Sequence, residues 1–204
     1  GRRSAGRQHT GGQGIVLEKI SKAYGKRQVL TEFSARWEPG SVHCLMAPSG
    51  SGKTTLLRLL AGLERPDGGE FESGDKIAMV FQEDRLCEEE PALCNVELVC
   101  KSRQAARACL EALLPGEDLE QKVSALSGGM RRRVCRARAL AAESEVLLLD
   151  EPFTGLDGEN RDNAARVIRE WQRGRTMVVA THEAEDAERL SGEIRDMQKE
   201  WKKA

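Results

Sequence analysis

Residues 42–62 read Val42-His43-Cys44-Leu45-Met46, then Ala47-Pro48-Ser49-Gly50-Ser51-Gly52-Lys53-Thr54-Thr55, then Leu56-Leu57-Arg58-Leu59-Leu60-Ala61-Gly62. A short apolar run, a turn of glycine and serine, and a lysine followed by leucines at i, i+1, i+3, i+4 and i+7 (through Leu63) spell strand, loop and helix. Gly62 is the expected helix stop. The glycines are required because backbone N–H groups have to turn inward and approach phosphate oxygens closely. The helix that follows adds the positive end of its dipole to the same anion. Pro48, Ser49, Gly50, Ser51, Gly52, Lys53, Thr54 and Thr55 are therefore the candidate phosphate cradle, in which Lys53 reaches the β- and γ-phosphates and the Thr54 hydroxyl binds Mg²⁺. Ala47 stands where the G-x-x-x-x-G-K-[ST] pattern begins with glycine. That position closes the strand and does not touch phosphate, so its methyl is expected to cost backbone strain and not the site.

Further along, Val146-Leu147-Leu148-Leu149 ends abruptly in Asp150-Glu151-Pro152. A continuous apolar run closed by two carboxylates is the pattern of a parallel strand buried on both faces whose carboxyl end opens on a ligand crevice. Asp150 would help hold Mg²⁺, largely through water. Glu151 would be the general base, since a carboxylate beside a metal-bound triphosphate accepts a proton in line with the γ-phosphorus. A solvated strand end is the plain alternative, and the presence of the loop upstream argues against it.

Between these two elements stands Leu126-Ser127-Gly128-Gly129-Met130, opening a helix with Arg131, Arg132, Arg133, Arg136 and Arg138 around an apolar stripe of Val134, Ala137, Leu140 and Ala141. Taken alone the arginines suggest a nucleic-acid face or a solvated one. A phosphate loop, a Ser-Gly-Gly at the start of a basic helix and an acidic strand end, in that order, resemble the ATP-binding subunits of ABC transporters. The resemblance implies that Ser127, Gly128 and Gly129 present a hydroxyl and backbone N–H groups to the γ-phosphate bound by the opposite subunit, so that one chain cannot complete the site. It also implies roles for three single residues. Gln82, after Ile77-Ala78-Met79-Val80-Phe81, would touch Mg²⁺ and the attacking water. His182, after Met177-Val178-Val179-Ala180-Thr181, would contact the γ-phosphate and orient that water. Tyr24, the single tyrosine, would stack on adenine. Separately each is more readily a core or surface residue; together and in order they point to function. Thr154-Gly155-Leu156-Asp157 matches the segment that carries contact between the two subunits' sites, and equally an ordinary turn before a helix capped near Asp157. Met130 replaces the commoner glutamine, keeping helix packing and losing a polar contact.

The expected fold is α/β: a P-loop NTPase with a RecA-like parallel core, an N-terminal antiparallel β subdomain over residues 15–37 that cradles the adenine, and an inserted helical subdomain at about 84–142, clearest at 105–114. Residues 1–14, rich in Gly, Arg, Gln and His, read as a disordered tail, and 15–204 as one ATPase domain. With 204 residues and one motif set the chain carries one nucleotide half-site, without internal repeats. A net charge of −1 and 4% aromatics supply no global basic field, so nucleic acid is not an expected partner. No stretch approaches the roughly 18 apolar residues of a membrane span, and no signal peptide is evident. Six cysteines without a C-x-x-C pair suggest reduced thiols in a cytoplasm.

Within the family, Met79-Val80-Phe81-Gln82-Glu83-Asp84-Arg85-Leu86 and the Met-Arg-Arg-Arg after Gly129 look most like the importer subunits of the nitrate, sulfonate and taurine group. Cys87-Glu88-Glu89-Glu90-Pro91 departs from that group's apolar segment; it either alters which permease docks or is a solvated turn. After Leu190 the family's last strands are reduced to about 193–197, followed by a charged 199–203 tail, with no regulatory domain expected. The implied function is ATP hydrolysis that powers import of a small anion such as sulfonate or nitrate. The implied assembly is a homodimer around two Mg²⁺·ATP, with integral membrane permease subunits and an extracytoplasmic solute-binding protein, peripheral on the cytoplasmic face of the cell membrane. The alternative is an ATPase of this type that transmits force to a membrane partner without moving solute.

Overall fold

A computed structural model describes residues 14–48, 50–81 and 85–197. Ser49, Gln82, the 1–13 part of the expected tail and the 199–203 tail lie outside the described residues. Two long strands come first, β1 (Ile15–Tyr24) and β2 (Arg27–Trp37), joined by Gly25-Lys26. They are followed by β3 (Val42–Met46), α1 (Lys53–Leu60), β4 (Gly68–Glu72) and β5 (Ile77–Val80). Next come α2 (Ala92–Glu97), α3 (Arg103–Leu113), a 3₁₀ turn at Val123–Ala125 and α4 (Gly128–Ala141). The remainder is β6 (Val146–Asp150), α5 (Gly158–Gln172), β7 (Thr176–Thr181), α6 (Ala184–Arg189) and β8 (Glu193–Asp196).

The strands form two sheets. One is antiparallel with order β2-β1-β4; the other is parallel throughout, with order β5-β6-β7-β3-β8. Side-chain alternation explains the layering of the parallel sheet. Leu147, Leu149, Met177 and Val179 point to a core shared with α3, α4 and α5, whereas Val146, Leu148, Val178 and Ala180 point to a second core built from α1, β1 and β2. Every residue of β6 and β7 is buried, which is why both read as unbroken apolar runs. The parallel order places the carboxyl ends of β3, β6 and β7 side by side, since Met46 pairs with Thr181 and Asp150 with Ala180.

Helix ends follow local chemistry. Gly62 takes a φ of 70°, its N–H donates to the Leu59 carbonyl and that of Leu63 to the Arg58 carbonyl, the paired bonds of a glycine-terminated helix. Leu63 falls past this stop and is half-exposed, so it leaves the apolar face its spacing assigned to it. Ser102 caps α3 by accepting from the Ala105 N–H, and Asp157 caps α5 by accepting from that of Asn160.

Several expectations need adjustment. Ala47 is not among the residues with positive φ, so its methyl causes no backbone strain. Arg136 is buried within α4 at 4% exposure and does not share the solvated or nucleic-acid-facing surface suggested for the arginines. The acidic segment 87–90 is an exposed turn, in agreement with the solvated-turn alternative, and it is also paired within the chain: Glu88 with Arg131 at 2.6 Å and Glu89 with Lys122 at 3.2 Å. The Ser124 N–H also donates to the Glu88 carbonyl, which ties this segment to the turn that leads into α4. All six cysteines are free, and burial pushes the Cys44 and Cys109 thiols up to about 12, leaving them inert. No helix among the described residues is long and apolar enough to cross a membrane.

Candidate functional site

The loop between β3 and α1 rises over the carboxyl ends of the parallel strands. Gly50 and Gly52 have φ of 77° and 93°, values that side-chain-bearing residues rarely adopt. At Gly52 space is short as well, because a Cβ would lie 2.8 Å from Val29 Cγ1 and 3.1 Å from the Val29 carbonyl oxygen. Lys53, the first residue of α1, is only 6% exposed. Its ammonium donates to the carbonyls of Ala47 and Pro48 and stands 3.9 Å from Glu151 Oε1.

Asp150 closes β6 at 4% exposure, and neither carboxylate oxygen makes a hydrogen bond of good geometry. Burial pushes its carboxyl above the usual range, and the nearby Thr54 hydroxyl opposes that shift. A buried carboxylate with no well-aligned donor, beside the Thr54 hydroxyl and below the 50–55 loop, is the oxygen-donor set a hard divalent cation takes, so these residues fit Mg²⁺.

Glu151 has a φ of 47°, an uncommon backbone state for a residue with a side chain and of the kind that clusters at functional sites. Its N–H donates to the Ala180 carbonyl, anchoring it on β7. The carboxylate thereby sits between Lys53 and His182, whose Nδ1 is 3.0 Å from Glu151 Oε2. A carboxylate only accepts, so this contact places the imidazole proton on Nδ1. His182 follows the last residue of β7 and remains about half-exposed. Glu183, the next residue, is held by Arg161 of α5, which keeps its carboxyl below the usual range and steadies the His182 turn.

A cleft of about 340 Å³ runs from Tyr24 along residues 50–55 to Glu151. Tyr24 is 46% exposed at its outer end and donates its hydroxyl to Glu64. Two lining residues escaped the sequence reading. Arg27, which pairs with Tyr24 across the β1–β2 turn, donates to the Gly50 carbonyl at 2.8 Å, and Val29 packs against Gly52. The hairpin signal Tyr24-Gly25-Lys26-Arg27 places Arg27 beside Tyr24 but does not link it to Gly50. A smaller cavity of about 60 Å³ lies behind Asp150 and Glu151, where Arg132, Arg136 and Thr154 meet.

The structure brings Tyr24, Gly50, Ser51, Gly52, Lys53, Thr54, Thr55, Asp150, Glu151 and His182 to one cleft region. Pro48 sits at the base of the loop, where its carbonyl receives Lys53. Ser127, Gly128 and Gly129 are not on this cleft. They are exposed at the start of α4, where the Ser127 hydroxyl accepts from the Met130 N–H and added Cβ atoms at Gly128 and Gly129 would meet open space.

A family model described as ABC transporter matches residues 30–154. The aliphatic sulfonates import ATP-binding protein SsuB 3 of Rhodococcus jostii is 37% identical over 186 residues, covering 88% of this chain and 69% of that protein. The arginine transport ATP-binding protein ArtM of Bacillus subtilis is 36% identical over 205 residues, covering 88% of this chain and 85% of that one. Among solved structures, the dimeric post-hydrolysis state of an ATP-binding cassette bound to ADP and Pi superposes with a TM-score of 0.76 at 30% identity, covering 86% of this chain and 90% of that one.

Proposed function

The chain belongs to the ABC transporter family of ATP-binding, ATP-hydrolysing subunits, and from that membership we propose that two copies close head to tail around two ATP molecules to drive solute import through a separate membrane permease. The observation that carries the proposal is the separation just described: the phosphate loop and Glu151 line one cleft, while Ser127, Gly128 and Gly129 face solvent elsewhere on the same chain. A Ser-Gly-Gly helix start exposed in this way offers N–H groups and a hydroxyl to an anion on a second molecule.

Within each composite site the roles follow from position. Tyr24 offers its exposed ring to the adenine. Residues 50–55 and the amino end of α1 hold the phosphates, with the Lys53 charge on the β- and γ-phosphates. Thr54, Asp150 and Gln82 would hold Mg²⁺, which when bound neutralises charge on the phosphate oxygens. Glu151 accepts the proton of the attacking water; His182, locked against it, orients that water and senses the γ-phosphate. Closure by the partner's Ser-Gly-Gly excludes solvent and transmits force, and cleavage reopens the pair.

For the solute we propose a small oxyanion of the sulfonate or nitrate kind. Its support is the likeness to SsuB 3 and the Met79-to-Leu86 and Met130-to-Arg133 segments. The assembly would sit on the cytoplasmic face of the membrane with permease and solute-binding partners. Ser127→Arg tests the shared site: hydrolysis is expected to fall at least a hundredfold while one chain still binds ATP with parental affinity. Unchanged hydrolysis would reject it.

A further inference from the structure

Arg175, in the turn before β7, is 7% exposed, and all five of its N–H donors are engaged. Nε donates to the Gln172 carbonyl at 3.1 Å. Nη1 donates to the Ala142 carbonyl at 3.1 Å and to Ser144 Oγ at 2.9 Å, and Nη2 to the Leu140 carbonyl at 2.9 Å and to that of Trp171. No carboxylate is among these partners. Leu140 and Ala142 lie at the carboxyl end of α4, and Trp171 and Gln172 at that of α5. The last carbonyls of a helix have no intrahelical donor and carry the negative end of its dipole. One guanidinium therefore satisfies the ends of two helices at once. The local chain is shaped for it: Arg173 and Gly174 both take positive φ, and the Arg175 N–H returns to the Gln172 carbonyl at 2.9 Å. Burial lowers the guanidinium to about 10, so it remains charged at neutral pH.

The opposite ends of α4 and β7 carry residues given roles in the proposed function: α4 starts at Ser127-Gly128-Gly129 and β7 runs to Thr181-His182, while α5 starts after Thr154-Gly155-Leu156-Asp157. α4 has 14 residues, so its length is about 20 Å at roughly 1.5 Å per residue. On that lever a tilt of about 3° at the pinned end moves the Ser-Gly-Gly by about 1 Å, a misplacement that can cost on the order of a hundredfold in rate. We propose that Arg175 is a positioning residue for the shared site, setting the angle between the Ser-Gly-Gly helix and the parallel sheet so that the helix start meets the partner's γ-phosphate. This rests on the two-copy reading above.

The test compares Arg175→Lys, which keeps the charge with three donors in place of five, with Arg175→Met. ATP affinity of the single chain, ATP-dependent dimerisation by analytical ultracentrifugation, and kcat and KM per folded chain are measured on each. In the Lys variant, ATP affinity is expected within twofold of the parent, while kcat and dimer affinity each fall about tenfold. The Met variant should be more severe, and if it does not fold the Lys variant carries the test. A folded Lys variant with parental kcat and dimerisation overturns the inference, as does a loss of ATP affinity in step with activity. If the parent itself does not dimerise with ATP, the two-copy reading falls and takes this inference with it.

Discussion

Glu151 shows how one residue's backbone can decide its chemistry. Its φ of 47° turns the carboxylate out of the strand line and into contact with Lys53 on one side and His182 on the other. If it takes the proton of the attacking water, Glu151→Gln should lower kcat by roughly 10²–10⁴-fold with ATP binding retained; single-turnover hydrolysis and equilibrium binding on the same preparation separate the two. Gly52 carries a backbone constraint of a different kind. Its φ of 93° and the 2.8 Å approach to Val29 leave no room for a methyl group. Gly52→Ala should strain the loop by about 1–3 kcal/mol and weaken ATP binding, read by calorimetric titration; parental affinity would mean the loop relaxes freely. Lys53, Asp150 and Glu151 were legible in the sequence because each ends or begins a patterned element. Arg27, Val29 and the burial of Arg136 were not, because their partners are distant in sequence and no spacing rule links them.

At the scale of elements, the parallel strands were the most legible, since burial on both faces forces continuous apolar runs such as 146–149 and 177–180. β4 went unread. Its Gly-Gly-Glu-Phe-Glu has no apolar alternation, and it is a strand because β1 supplies its hydrogen bonds. α6 is six residues long and mostly charged, too short for a periodic signal. Strand β3 carries a polar residue whose role only the structure reveals. His43 is 3% exposed, stacks on Trp37 at 5.2 Å and bonds the Ser41 hydroxyl. Burial, with Arg195 adding to it, holds its imidazole below the ordinary value of 6.5, against the weaker pull of Glu193. The folded state then binds that proton less readily than the unfolded state, so stability attributable to His43 is fully present above pH 6.5 and is lost as pH falls below it. His43→Phe, which retains the stacking, should flatten the fall in stability as pH drops below 6.5 in urea unfolding; an unchanged slope would assign that fall to other groups.

For the whole molecule, the parallel order β5-β6-β7-β3-β8 gathers the carboxyl ends of three strands under one phosphate loop, and the helices at 92–141 carry Ser127-Gly128-Gly129 away from it. In the proposed reading these are two half-sites of opposite kind on one chain, and head-to-tail pairing of two copies would join each to its complement and close the assembly on itself. This part of the account was legible only through the order of motifs, because no local pattern says that a loop and a helix start belong to different molecules. Mixing two inactive variants tests it most directly. Lys53→Ala disables the loop and Ser127→Arg disables the helix start, and in a mixed pair one of the two composite sites is intact. Shared sites predict that the mixture hydrolyses ATP well above either variant alone, with a maximum near equal proportions. Activity in the mixture no greater than the sum of the two separate variants at every ratio would contradict the account.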